Sequence, residues 1–239
     1  MGNKKLKEKR IGEIINTKYN GVCKIIKYIN NTNVDIMFED KTVVKKVSYK
    51  QLKEGLVKNP NKISVYNVGY FGQGIYSKKQ NEKAYKVWYS MLDRCYNKNG
   101  QNLSYKNTEV CKEWHNFQNF AKWFEENYID GWCLDKDILS NGNKIYSPQT
   151  CCFIPRKLNN WFKKSIKRKS NLPTGVEKHG NKYRASIAGK HLGLFNTIKE
   201  AQDVHSKEKN KYINELVEEY KGLLSTDVYN KLAVKARKS

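Results

Sequence analysis

The sequence predicts an α+β protein assembled from several small modules. Three observations carry that prediction. Short β-prone runs cluster between Ile11 and Pro60, two helically spaced aromatic stripes lie between Tyr85 and Phe124, and a second β-prone cluster after Thr174 leads into a long helical run. At 239 residues the chain has room for two or three small domains.

The elements follow in order from local pattern. Residues 1–10 are mostly Lys and polar and read as a basic tail. Over 11–66, the runs 12–15, 22–28, 34–38 and 42–47 are separated by turn signals at Asn20-Gly21, Asn30-Asn31-Thr32-Asn33 and Glu39-Asp40-Lys41. Four such strands in close succession predict a small β-barrel, SH3-like in plan. The segment Asn67-Val68-Gly69-Tyr70-Phe71-Gly72-Gln73-Gly74 lacks both Gly-x-Gly-x-x-Gly spacing and a following Lys-Ser/Thr. It reads as a linker or turn, and nucleotide binding is not indicated.

Tyr85, Trp88, Leu92 and Cys95 recur at three- and four-residue steps, as do Trp114, Phe117, Phe120 and Phe124, with Trp123 beside them. Such stripes are read as core in preference to base-stacking platforms, because two helices must bury something to pack on a small unit. His115 lies one step off the second stripe. Two readings stand for it: a lone exposed histidine, or a displaced general base.

The charge balance points to a polyanionic partner. Lys and Arg number 46 against 23 Asp and Glu, a formal charge of +23, far more than solubility requires. The competing explanation is a generally Lys/Asn-rich composition. Cysteines at 23, 95, 111, 133, 151 and 152 form no Cys-x-x-Cys pair, so reduced thiols in a cytosolic setting are expected and zinc is not. With no long apolar run, no membrane partner is expected.

Two resemblances sharpen this. The stretch from Leu134-Asp135-Lys136-Asp137 through Tyr146-Ser147-Pro148-Gln149-Thr150-Cys151-Cys152-Phe153, followed by Lys157-Leu158-Asn159-Asn160, resembles HNH-type proteins of phages and mobile introns. Upstream, Tyr85-Lys86-Val87-Trp88, Met91-Leu92, Arg94-Cys95-Tyr96, Val110-Cys111 and Glu113-Trp114, with Phe117 and Phe120, are similar to that family's helical lead-in. The resemblance implies a ββα module with lead-in over 67–162. It also implies metal-assisted DNA hydrolysis, with Asp135 and Asn159 or Asn160 at an Mg²⁺ or Mn²⁺ ion. Lys136 stands where the general base would be, and Thr150 replaces the central Asn. A lysine serves as a base near neutral pH only if burial lowers its pKa by several units. The expectation is a degenerate nuclease site, with His115 the first candidate for a substitute base.

Lys163, Lys164, Lys167, Arg168 and Lys169 follow in a basic connector over 163–173, suited to phosphate contacts. From Thr174, Gly175-Val176, Tyr183-Arg184-Ala185, Ile187, Gly189-Lys190, Leu192-Gly193, Phe195, Thr197 and Glu200-Ala201 resemble an AP2-type DNA-binding domain over 174–222. That resemblance implies a three-stranded sheet laid in the major groove and backed by one helix. Lys178, Lys182, Arg184, Lys190 and His191 are its candidate contacts. Glu177 and Tyr183 depart from the plant-type pattern, where a basic residue and Trp are common.

The backing helix is expected from Ile198 to about Tyr220, with Ala201, Val204 and Tyr212 on its inner face and His205 at the surface or rim. Residues 223–239 read as a C-terminal helix and basic tail. Taken together, these features lead us to expect a double-stranded-DNA-binding protein of the phage HNH/AP2 homing endonuclease-like type. The alternatives are an active metal-dependent nicking enzyme and a non-enzymatic protein that binds and inhibits a host protein.

Overall fold

The computed structural model describes residues 9–18, 20–98, 105–140, 142–162 and 171–237; the connector residues 163–170 lie outside the described residues. The chain forms two compact units. One comprises Met1–Lys106 and Val110–Phe124, the other Asn107–Glu109 and Glu125–Ser239. No helix among the described residues is long and apolar enough to cross a membrane.

In the first unit, β1 (Ile14–Thr17), β2 (Gly21–Asn30), β3 (Asn33–Phe38) and β4 (Val43–Val47) pair antiparallel in chain order. Alternation sorts their side chains. The cross-strand rows Ile15, Cys23, Phe38 and Ile25, Ile36, Val44 face the core, whereas Ile14, Lys24, Met37 and Val43 form an outward row.

The expected barrel does not close. β1 and β4 remain the edges of an open sheet, because the chain leaves β4 for the short helix α1 (Tyr49–Lys53) and supplies no fifth strand to join the edges. Leu52 and Val57 cover the core instead.

The glycine-rich segment, read as a linker or turn, opens on a turn and is docked along its length. Val65 and Gly69 bridge across a turn in which Tyr66 and Asn67 both have positive φ. Asn tolerates that conformation and Tyr does not. The Tyr66 hydroxyl donates to Asp93 on α2 (Glu82–Tyr96), an anchor that offsets the strain.

Gly69 then lies directly on Trp88 and Leu92, where a Cβ would sit 2.5 Å from Leu92 Cδ1. Gly72, at φ +75°, abuts the Asn116 side chain. Asn116 Oδ1 in turn accepts from the Gln118 N–H at 2.9 Å, capping α3 (Phe117–Asn127).

The aromatic stripes form the core read from their spacing. Trp88, Trp114, Phe117 and Phe120 are fully buried, with ring centroids 5.5 Å apart for Trp88 and Phe117 and 5.1 Å for Trp114 and Phe120. The Trp88 indole N–H donates to the Trp114 carbonyl at 2.7 Å, satisfying the polar end of a fully buried ring.

Two of the small sheets described in the second unit share one helix. After the short strand β5 (Glu109–Val110), β6 (Trp132–Asp135) pairs antiparallel with β8 (Cys152–Pro155), and β7 (Ile145–Tyr146) lies between them in sequence. α4 (Arg156–Phe162) follows at once, giving a strand–strand–helix unit. β9 (Val176–His179), β10 (Lys182–Ile187) and β11 (Lys190–Phe195) then form a three-stranded antiparallel sheet with β10 central.

α5 (Ile198–Glu219) opens with a capping box between Thr197 and Glu200. Its Ala201 closes the sheet core with Val176 and Ala185. Further along, Ile213, Leu216 and Val217 join Ile138, Cys152, Ile154 and Leu158, together with Val228, Leu232 and Ala236 of α6 (Thr226–Arg237).

Gly72→Ala tests the docking of residues 65–76. Added strain at positive φ and the clash with Asn116 should lower stability by about 1–3 kcal/mol in urea unfolding, with an unchanged m-value. A change below about 0.5 kcal/mol, the range of ordinary surface substitutions, would mean the segment is not held as described.

Candidate nucleic-acid interface and strand-pair site

The three-stranded sheet has one covered and one open face, and strand alternation decides which side chain goes where. On β10, Tyr183, Ala185 and Ile187 point toward α5, so Lys182, Arg184 and Ser186 point out. Register carries this to the neighbours. Glu177 stands beside Arg184, His179 beside Lys182, Leu194 on the other side of Arg184, and His191 beside Ser186.

The open face therefore brings together three of the five predicted contacts, Lys182, Arg184 and His191. Lys178 pairs with Tyr183 and Lys190 with Ile187, which puts both on the helix side. Lys190 Nζ lies there 3.7 Å from the Glu208 carboxylate of α5. His179 and Leu194 join the face without having been predicted. The signal for them is the period-two alternation counted outward from Ala185, complicated on β11 by a bulge opposite Ala185 and Ser186.

Arg184 is held by its cross-strand neighbour. Its guanidinium donates to the Glu177 carboxylate, and both side chains are exposed, so the pair adds little stability. Its effect is orientational: it fixes a planar donor group at the middle of the open face, next to a carboxylate acceptor and an exposed leucine. On the covered side, His205 is buried beneath Gly175, correcting its reading as a rim residue. Gly175 has φ +81°, and a Cβ there would come within 2.1 Å of the imidazole. Burial, with Lys209 nearby, lowers the pKa of the ring from its ordinary value.

The strand-pair site is built differently. Asp135 ends β6, and its Oδ1 accepts from the N–H groups of Asp137 and Ile138 at 2.8 and 2.9 Å, tying down the turn that follows. Burial raises its carboxyl pKa even though those two bonds and Lys235 act the other way.

Lys136, with its side chain 11 % exposed, places its ammonium on Asp137 and 5.9 Å from the Tyr146 ring centroid. Thr150 does the holding work expected of an Asn at this point. Its hydroxyl accepts from the Ser147 N–H at 3.0 Å and donates to the Ile145 carbonyl at 2.6 Å. On α4, Asn159 is buried and Asn160 exposed.

His115 belongs to the other compact unit, half-buried against the Tyr96 ring. Its Nε2 lies 3.1 Å from the Val110 carbonyl, which requires the proton on that nitrogen. Among the described residues no three His, Cys, Asp or Glu side chains gather to hold a cation. Asp135 offers a single carboxylate whose Oδ1 is engaged with two backbone donors, and the lysine beside it is ion-paired with Asp137.

Comparison with protein-family models, with curated proteins and with solved structures returns no match.

The two variants of Asp135 separate turn-holding from ion-holding. Asp135→Asn keeps an acceptor for both N–H groups and should leave stability at neutral pH unchanged or raised, whereas Asp135→Ala should lose about 1–3 kcal/mol. Because burial raises the folded-state pKa, the wild type gains from the protonated form in acid. That contribution disappears as pH rises above about 4 and through the folded pKa, and Asp135→Asn should flatten the dependence. Equal losses in both variants, measured by urea unfolding at several pH values, would contradict this role.

Proposed function

We propose that the chain binds duplex DNA through the open face of the 176–195 sheet, as a protein of the phage HNH/AP2 homing endonuclease-like type whose strand–strand–helix module no longer cleaves. The observation that carries this reading is the open face itself: His179, Lys182, Arg184 and His191 on one side of a sheet whose other side is closed by α5. The scale is right for the groove. Three strands about 4.8 Å apart span roughly 10 Å of backbone, which a major groove about 12 Å wide accepts. The formal charge of +23 supplies the long-range attraction to phosphate.

Within the face, different residues do different work. Lys182 at the sheet's end is suited to phosphate. Arg184 at its centre presents the planar donor that pairs with guanine O6 and N7, and Glu177 beside it is an acceptor of the kind that takes a cytosine amino group. The strand-pair module serves as scaffold in this reading. Its lysine is ion-paired, its threonine holds a turn and its aspartate caps another, so each position that differs from an active nuclease has a structural occupation.

The experiment pairs binding with cleavage. The full chain should shift duplex DNA in EDTA and leave supercoiled plasmid uncut with Mg²⁺ or Mn²⁺. Arg184→Ala should lower discrimination between preferred and random sequences by about 1–3 kcal/mol. Efficient nicking that vanishes in Asp135→Ala would overturn the scaffold reading. Equal losses on preferred and random DNA from Arg184→Ala would remove its base-reading role.

A further inference from the structure

The first unit carries a small site that the DNA-binding reading does not use. Tyr28 on β2 and Tyr49 on α1 stand with their rings perpendicular, centroids 6.0 Å apart, and the Arg10 guanidinium fills the corner between them. Arg10 Cζ lies 3.8 Å from the Tyr49 ring centroid and 4.8 Å from that of Tyr28. One guanidinium nitrogen donates to the Tyr28 hydroxyl and, at 2.6 Å, to Asn31 Oδ1.

The walls are fixed independently of their occupant. The Tyr28 hydroxyl donates to Asn31, the Tyr49 N–H donates to the Asn31 carbonyl at 2.7 Å, and the Tyr49 hydroxyl donates to Glu13 at 2.9 Å. Glu13 is held in turn by Lys53 at 3.0 Å, so a carboxylate also stands behind the cage.

Two rings, two oxygen acceptors and a nearby carboxylate are what a delocalised cation needs, and a ring contact at 3.8 Å suits a weakly hydrated guanidinium better than a compact, strongly hydrated ammonium. We propose that Tyr28, Tyr49 and Asn31 form an arginine-binding cage, which the chain's own Arg10 fills and which accepts an arginine side chain of another protein once Arg10 is withdrawn. Arg10 lies four residues before β1, and its carbonyl accepts from the Glu13 N–H at 3.2 Å in a local turn. The pairings of β1 with β2, β2 with β3 and β3 with β4 do not include Arg10, nor does α1.

The test titrates N-acetyl-arginine amide and N-acetyl-lysine amide into the full chain while following the Tyr28 and Tyr49 ring resonances by NMR. In Arg10→Ala the arginine probe should saturate at about tenfold lower concentration than in wild type, with the lysine probe weaker. Arg10→Ala/Tyr49→Leu should show no saturation. Arg10→Gln goes through the same titration, so that a folding defect in the alanine variant does not decide the outcome. A probe that binds Arg10→Gln no better than wild type, or lysine binding as well as arginine, would overturn the proposal.

Discussion

The second unit depends on one helix serving two cores. The 176–195 sheet buries little on its own: Val176, Ala185 and Ile187, with Tyr183, Leu192 and Phe195 half-covered, are too few to order three strands against their conformational entropy. The strand pair 132–135 and 152–155 is smaller still. α5, 22 residues long and so roughly 33 Å, lays its first half on the sheet through Ala201 and His205 and its second half on the strand pair and α6 through Ile213, Leu216 and Val217. Neither sheet would bury a sufficient core without it.

That arrangement has a chemical consequence. Since α5 takes the apolar side of the three-stranded sheet, alternation leaves the polar side open, and register decides which basic residues share it. Lys182, Arg184 and His191 face solvent together, while Lys190 is spent on an ion pair with the helix. The strand-pair module shows the opposite arrangement at three of its polar positions, which are used internally. Asp135, Lys136 and Thr150 each satisfy a neighbour within a few residues, and such local satisfaction is what lets a turn-rich segment stay ordered.

Much of this was legible in the residues. Turn signals such as Asn20-Gly21 placed the N-terminal strands, and helical spacing placed Trp88, Trp114, Phe117 and Phe120 in the core. The failures are long-range ones. Barrel closure needs a strand to bridge two edges, and no local pattern reveals that the chain enters α1 instead. Gly69 and Gly72 look like linker residues because only the partner surfaces, Trp88, Leu92 and Asn116, show that a Cβ would not fit. Lys178 and Lys190 fall on the helix side of the sheet because strand parity decides the face, and composition marks a residue as basic without fixing that parity. His205 read as surface because nothing in its own helix shows that Gly175 leaves room above it.

The central claim, that one face of the 176–195 sheet meets DNA, is tested most directly by removing the same charge from each side. Lys182→Gln/Arg184→Gln and Lys178→Gln/Lys190→Gln each neutralise two cations on the same three strands. Affinity for duplex DNA measured across salt concentrations should lose slope in the first variant, by about 0.9 for each phosphate contact removed, and change little in the second. Equal losses in the two variants, or the larger loss in the second, would contradict the account.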